Sequence, residues 1–136
     1  MKGTYTLLIT VERPIEITVG ALGDRQFAAG WYAYVGSAFG PGGFSRIDRH
    51  HSIATGDHDV RQWHIDYLLG AAGASIDTDY RSPEADIECA LRDRVVGEPI
   101  KEFGASDCGC DSHLLYGPDR ETLEESIKEA HEKLSA

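Results

Sequence analysis

Long apolar runs are missing from this 136-residue sequence. The longest, Tyr5 to Ile9 and Tyr67 to Ala72, fall far short of the roughly 20 residues that span a bilayer, which leaves no candidate membrane helix. Met1-Lys2-Gly3 leads straight into an alternating pattern, without the charged, apolar and small-residue regions of a signal peptide, so a cytoplasmic location is expected. Cysteine is sparse and odd in number: Cys89, Cys108 and Cys110. In a reducing compartment these stay thiols, and a disulfide framework is not expected. Asparagine is absent altogether.

Cations are also scarce, with 13 Lys and Arg against 23 Asp and Glu and a formal net charge of −10. Such a balance repels a polyanion in dilute buffer and argues against non-specific nucleic-acid binding driven by phosphate neutralisation. The acidic residues, however, are spread over expected helix faces and loops (Glu84, Glu98, Glu121, Glu125), whereas Arg46 and Arg49 stand close together between Gly-rich and His-rich stretches. Global charge need not describe the site. A high-salt cytoplasm would account for the acidity, since the Debye length shrinks to about 3 Å at 1 M salt.

The length suits one domain, residues 1–136, around a single core. Tyr5, Leu7, Ile9 and Val11 alternate with Thr4, Thr6 and Thr10, the period of a strand with one buried face. Ile15 to Phe27 reads as a hairpin turning at Gly20 to Asp24, and the following strand places Tyr32 and Tyr34 on one face with Trp31, Ala33 and Val35 on the other. Beyond the turn at Gly40-Pro41-Gly42-Gly43, Arg46 and His50 share a helix face four residues apart. That turn lacks the Lys-Ser/Thr of a nucleotide-binding loop. A short helix is expected over Trp63–Leu69 and a strand through Ile76, Thr78 and Tyr80. Ser82 as N-cap and Pro83 at the first helical position predict a helix carrying Ile87, Leu91 and Val95 and stopping at Gly97. His113 to Tyr116 returns to the sheet. A last helix buries Leu123, Ile127, Ala130 and Leu134 and pairs Glu124 with Lys128 on its solvated face.

Gly3-Thr4-Tyr5 at the start of the first strand, Tyr34-Val35-Gly36 on a later one, then Arg46 with His50 and a helix-borne Glu88, resemble the GIY-YIG nuclease superfamily in order and type. The longer strings Tyr34-Val35-Gly36-Ser37-Ala38, Trp63-His64-Ile65-Asp66-Tyr67-Leu68-Leu69 and Ser106-Asp107-Cys108-Gly109-Cys110 are similar to a branch of small GIY-YIG-like proteins also found fused to endonuclease-III-type DNA glycosylases. The resemblance implies an α+β fold: a central antiparallel sheet of about three strands flanked by helices, here with an added β-hairpin between the two Tyr motifs. It implies hydrolysis of phosphodiesters in DNA, by analogy in repair and in association with a glycosylase. Glu88 would hold one Mg²⁺ or Mn²⁺, Arg46 would stabilise the transition-state phosphate, and Tyr5 or Tyr34 would orient or deprotonate the water. His50 would serve as auxiliary acid/base, and Gly36, Ser37, Arg46 and Arg49 would meet the nucleic acid. Mg²⁺ needs few protein carboxylates, so one glutamate suits the chemistry. A tyrosine that titrates near roughly 10 needs a metal or guanidinium nearby to act as a base.

The chain departs from the superfamily pattern in two ways. The hairpin separates the two Tyr motifs widely, and no asparagine follows the glutamate, leaving Asp107, Ser112 or His113 as stand-ins. A catalytically incomplete nucleic-acid-binding module therefore stays open as an alternative. So does a small interaction protein built on zinc held by Cys108, Cys110 and His113, whose thiolate and imidazole ligands suit that ion although one-residue cysteine spacing is unusual for it. His50-His51 with His58, and His64 with Asp66, read as surface or buried hydrogen-bonding groups.

Overall fold

The computed structural model describes residues 3–18, 23–38, 43–55, 64–71, 73–85, 87–100, 113–117 and 119–135. Strands β1 (Gly3–Val11), β2 (Ile15–Thr18), β3 (Asp24–Phe27) and β4 (Gly30–Ser37) precede helices α1 (Ser45–Ala54) and α2 (His64–Leu69). Strand β5 (Ala74–Pro83), helix α3 (Glu88–Arg94), the short β6 (Glu98–Pro99), β7 (Leu114–Gly117) and helix α4 (Arg120–Ser135) complete the order. A five-stranded sheet runs β5-β1-β4-β7-β6, and β2 with β3 forms a separate two-stranded ribbon. Every pairing in both sheets is antiparallel. The fold is α+β, and the inserted hairpin is where the sequence places it. The sheet has five strands where the resemblance implies about three: β7 is the returning segment read from the sequence, and β6 is too short to carry a pattern.

Both faces of the sheet are covered. Tyr5, Leu7, Ile9, Tyr32, Tyr34 and Leu114 meet Ile47 and Ile53 of α1 and Ile65, Leu68 and Leu69 of α2, while Ile15, Ile17 and Phe27 close that core from the ribbon. On the other face Leu8, Ala33, Val35 and Leu115 pack against Leu91 and Val95 beside α3 and Leu123, Ile127 and Ala130 of α4. The division of Tyr32 and Tyr34 from Ala33 and Val35 follows the strand period. No described helix is long and apolar enough to cross a membrane.

The threonine face of β1 departs from expectation, because Thr4 and Thr6 are fully buried. Burial of a hydroxyl is tolerated when it is hydrogen-bonded. Thr4 Oγ1 donates to the Ala85 carbonyl at 2.7 Å and accepts from the Ile87 N–H at 3.2 Å. Thr6 Oγ1 lies 2.8 Å from His131 Nε2, and Ser82 Oγ lies 2.7 Å from His131 Nδ1. A neutral imidazole has one donor and one acceptor nitrogen, so it serves two hydroxyls at once and ties α4 to β1 and β5. Ser82 is thus spent on His131 rather than on a helix cap. This corrects the expected start of α3: β5 continues through Pro83, which an edge strand tolerates because its missing N–H is not needed. The chain turns at Glu84 with φ of 61°, and α3 begins at Glu88. Glu124 is only 19% exposed at its side chain. It accepts from the Tyr80 hydroxyl, which together with Arg120 holds its carboxyl below the usual range against the opposing effect of burial. Lys128, 3.9 Å away, is its weaker partner.

Two glycines are required by close approach. Gly36 stands opposite Tyr5 in the β1–β4 register, and a Cβ on Gly36 would lie 2.4 Å from Tyr5 Cζ and 2.4 Å from its hydroxyl. A Cβ on Gly3 would lie 2.3 Å from the Ser82 carbonyl oxygen and 2.8 Å from Phe44 Cζ. Neither position has room for a side chain.

Two outcomes follow for stability. Gly36→Ala should cost at least about 2 kcal/mol in chemical denaturation, and less when introduced into Tyr5→Leu, whose shorter side chain vacates the overlap. Additive costs would contradict the contact. Burial depresses the His131 pKa from 6.5 to about 4. Between those values the unfolded chain takes up a proton that the native one refuses, so this contribution is complete above pH 6.5 and declines as the solution is acidified towards pH 4. Moving from neutral pH to about pH 5 should lower stability through this residue by on the order of 2 kcal/mol. His131→Leu should flatten that dependence, and an unchanged pH profile in the variant would remove His131 as its source.

Candidate active site

Near the start of β1 three of the predicted positions, Tyr5, Tyr34 and His50, come together. Tyr5, held against Gly36, extends over β4 and brings its hydroxyl to 2.7 Å from Nε2 of His50 on α1. The two rings are 5.6 Å apart, and Tyr34 meets the same imidazole edge-on at 6.0 Å. His50 therefore sits between both motif tyrosines, which come from separate strands. Tyr5 and His50 are buried, whereas Tyr34 retains 9% exposure and is the member closest to solvent. The hydrogen-bond geometry serves either proton position: a tyrosine hydroxyl donating to neutral Nε2, or a protonated imidazole donating to phenolate.

Two further positions arrive by backbone. Arg46 follows Phe44 and Ser45 in the first turn of α1, and Phe44 packs over Gly3. Glu88 is the first residue of α3, and the N–H of the preceding Ile87 is tied to Thr4, the neighbour of Tyr5. The side chains of Ser37, Arg46 and Glu88 lie outside the described residues, as do Cys108 and Cys110. His113 is buried, and its carbonyl accepts from the Val35 N–H at 2.9 Å as β7 joins the sheet.

Arg49 has a structural occupation that its sequence neighbourhood did not suggest. Its Nη1 and Nη2 donate to Asp66 Oδ1 and Oδ2 at 3.0 and 2.9 Å, a bidentate pair that locks α1 to α2. Asp66 is fully buried and the Arg49 side chain is 19% exposed. A buried carboxylate needs such a partner, and the planar guanidinium matches it better than any other cation.

Sequence reading missed Arg81, which lies directly across from Tyr5 on the edge strand β5. The signal was present but weak: a basic residue immediately after Tyr80 gains meaning only once the register is known. On the opposite face of the sheet, Arg120 of α4 pairs with Asp77 at 2.6 Å and lies 5.3 Å from the Trp31 ring centroid. This cluster binds α4 to the sheet. A cavity of about 460 Å³ lies at the far edge, between β6–β7 and the first turn of α4, and contains none of the predicted site residues.

Among the described residues, no group of three His, Cys, Asp or Glu side chains is arranged to hold a metal ion. A magnesium-type ion requires only one or two carboxylates and keeps several waters; the side chain of Glu88, the ligand that the resemblance implies, lies outside the described residues.

Comparison with curated proteins and with solved structures gave no significant match. The family model described as "Domain of unknown function DUF123" matches residues 4–136, nearly the whole chain, and the protein belongs to that family.

Proposed function

We propose that this protein is a GIY-YIG-type nuclease that hydrolyses phosphodiester bonds in DNA with the aid of one divalent ion, Mg²⁺ or Mn²⁺. The observation that carries the reading is the 2.7 Å contact between Tyr5 and His50, residues 45 apart in sequence, with Tyr34 against the same imidazole. Core tyrosines of a purely structural sheet have no need of a shared histidine. This arrangement places an imidazole base in hydrogen-bond contact with Tyr5 and edge-on to the Tyr34 ring.

In this reading Tyr34, the most exposed of the three, orients the attacking water. Tyr5 and His50 take up the charge rearrangement behind it, the imidazole exchanging a proton with the Tyr5 hydroxyl. Arg46 supplies positive charge to the phosphoryl oxygens as charge builds on them. Glu88 holds the ion, which when bound contributes Lewis-acid stabilisation of the phosphate. The close approach at Gly36 keeps Tyr5 from swinging away from His50. Membership of the glycosylase-fused branch, a role in repair and a cytoplasmic setting belong to the same proposal. They are supported by the motif strings and by the sparse, odd set of cysteines.

The missing asparagine favours a second reading, a nucleic-acid-binding module that does not turn over. One experiment separates the two. Purified protein is incubated with branched, nicked and single-stranded DNA and with RNA, from low to molar KCl with Mg²⁺ or Mn²⁺, beside Glu88→Gln. Cleavage should appear with the natural sequence and fall by at least about a hundredfold in the variant, whose melting temperature should be unchanged. Retention of DNA without cleavage in every condition would establish the binding module instead.

A further inference from the structure

Arg81 occupies a position that no part of the fold requires. Its Nε donates to Asp79 Oδ1 at 2.9 Å, two residues earlier on the same strand and face. Its guanidinium carbon lies 5.4 Å from the centroid of the Phe44 ring. Among the described residues its Nη1 and Nη2 make no hydrogen bond, and the side chain is 43% exposed. Asp79 Oδ2 is in turn 3.5 Å from Nε2 of His51, on the residue after His50. An exposed ion pair within one strand contributes little to stability. Its geometric effect is larger: one edge of the guanidinium is fixed by Asp79 and one face is covered by Phe44, while the two terminal nitrogens make no hydrogen bond among the described residues.

That orientation suits an anion. Two parallel N–H groups on a planar cation match the two unesterified oxygens of a phosphodiester, and prior fixation of the fork reduces the entropy lost on binding. The location is equally specific. Arg81 is the cross-strand partner of Tyr5, it lies on the open edge of the sheet, and the Phe44 beneath it leads directly into the turn of α1 that carries Arg46. In a chain with a net charge of −10, a strand of nucleic acid needs a local cation, and Arg81 is the one that β5 exposes, its neighbour Asp79 being engaged by its Nε.

We propose that Arg81 is a phosphate-binding residue that holds the sugar-phosphate backbone of the DNA substrate along the β5 edge, one contact away from the phosphate being hydrolysed. Asp79 positions it and His51 braces Asp79. The inference rests on the nuclease reading and names how that site grips its substrate.

The test uses the full chain carrying Glu88→Gln, so that binding is read without cleavage, and fluorescence anisotropy with labelled branched and single-stranded DNA across a KCl series. Arg81→Gln should weaken binding about tenfold and flatten the slope of log K against log[KCl] by about one phosphate contact. Arg81→Lys should restore the slope but only part of the affinity, since it keeps the charge and loses the fork. A neutral methylphosphonate walked along the strand provides a second measurement on protein with Arg81 intact. One position should cost about tenfold, and that position should become insensitive in Arg81→Gln protein that retains its melting temperature. Tight binding by the parent with identical affinity and slope in Arg81→Gln would overturn the subsite and leave the nuclease reading standing. Absence of binding to any nucleic acid by the parent at every salt concentration would overturn both.

Discussion

Tyr5 fills the space that a side chain at Gly36 would occupy, and the rest of the candidate site depends on that exchange of volume. With no side chain at Gly36, the Tyr5 ring occupies that space and its hydroxyl reaches His50. A close-packed interior leaves no slack for the ring to be elsewhere. Tyr34, two residues before Gly36 on the same strand, then faces the same histidine from the other side. A glycine and two tyrosines, unremarkable singly on a sheet, become one constellation because the antiparallel register sets Tyr5 opposite Gly36, two residues beyond Tyr34 on the same strand.

The same strand works on both faces. Tyr5, Leu7, Ile9 and Val11 enter one core, and Thr4, Thr6 and Leu8 enter the other. The threonines are useful there because a hydroxyl can satisfy backbone or imidazole groups where an apolar residue cannot. Thr4 anchors the entry to α3 one position before the predicted metal ligand, and Thr6 anchors α4 through His131. Stability and site geometry thus share one strand: what fixes the helices of the second face also fixes where Glu88 begins its helix.

Charge is distributed by the fold rather than by composition. Arg49 is drawn inward by the buried Asp66, and Arg120 is engaged by Asp77 and Glu124 on the far face. Arg81 stays exposed on β5, beside the strand on which the tyrosine motif starts. Screening at high salt reduces the repulsion of a polyanion by an acidic surface.

Much of this molecule is legible in its sequence. Strict alternation gives β1 and β4 and separates the tyrosines of β4 from its small residues, and four-residue spacing gives α4 and sets Arg46 and His50 one turn apart on α1. The two Tyr motifs could be named together from order alone. Other features were decided only by tertiary contacts. Ser82 and Pro83 carry good helix-start chemistry, yet His131, 49 residues away, claims the Ser82 side chain and the strand continues. The threonine face looks solvated by composition and is buried because α3 and α4 lie on it. Arg49 and Arg81 are equivalent as letters, and the register and a buried carboxylate assign one to the core and the other to the rim. Local periodicity determines which way a side chain leaves the backbone. What waits at the other end depends on strand register and helix docking, which no window of neighbouring residues contains.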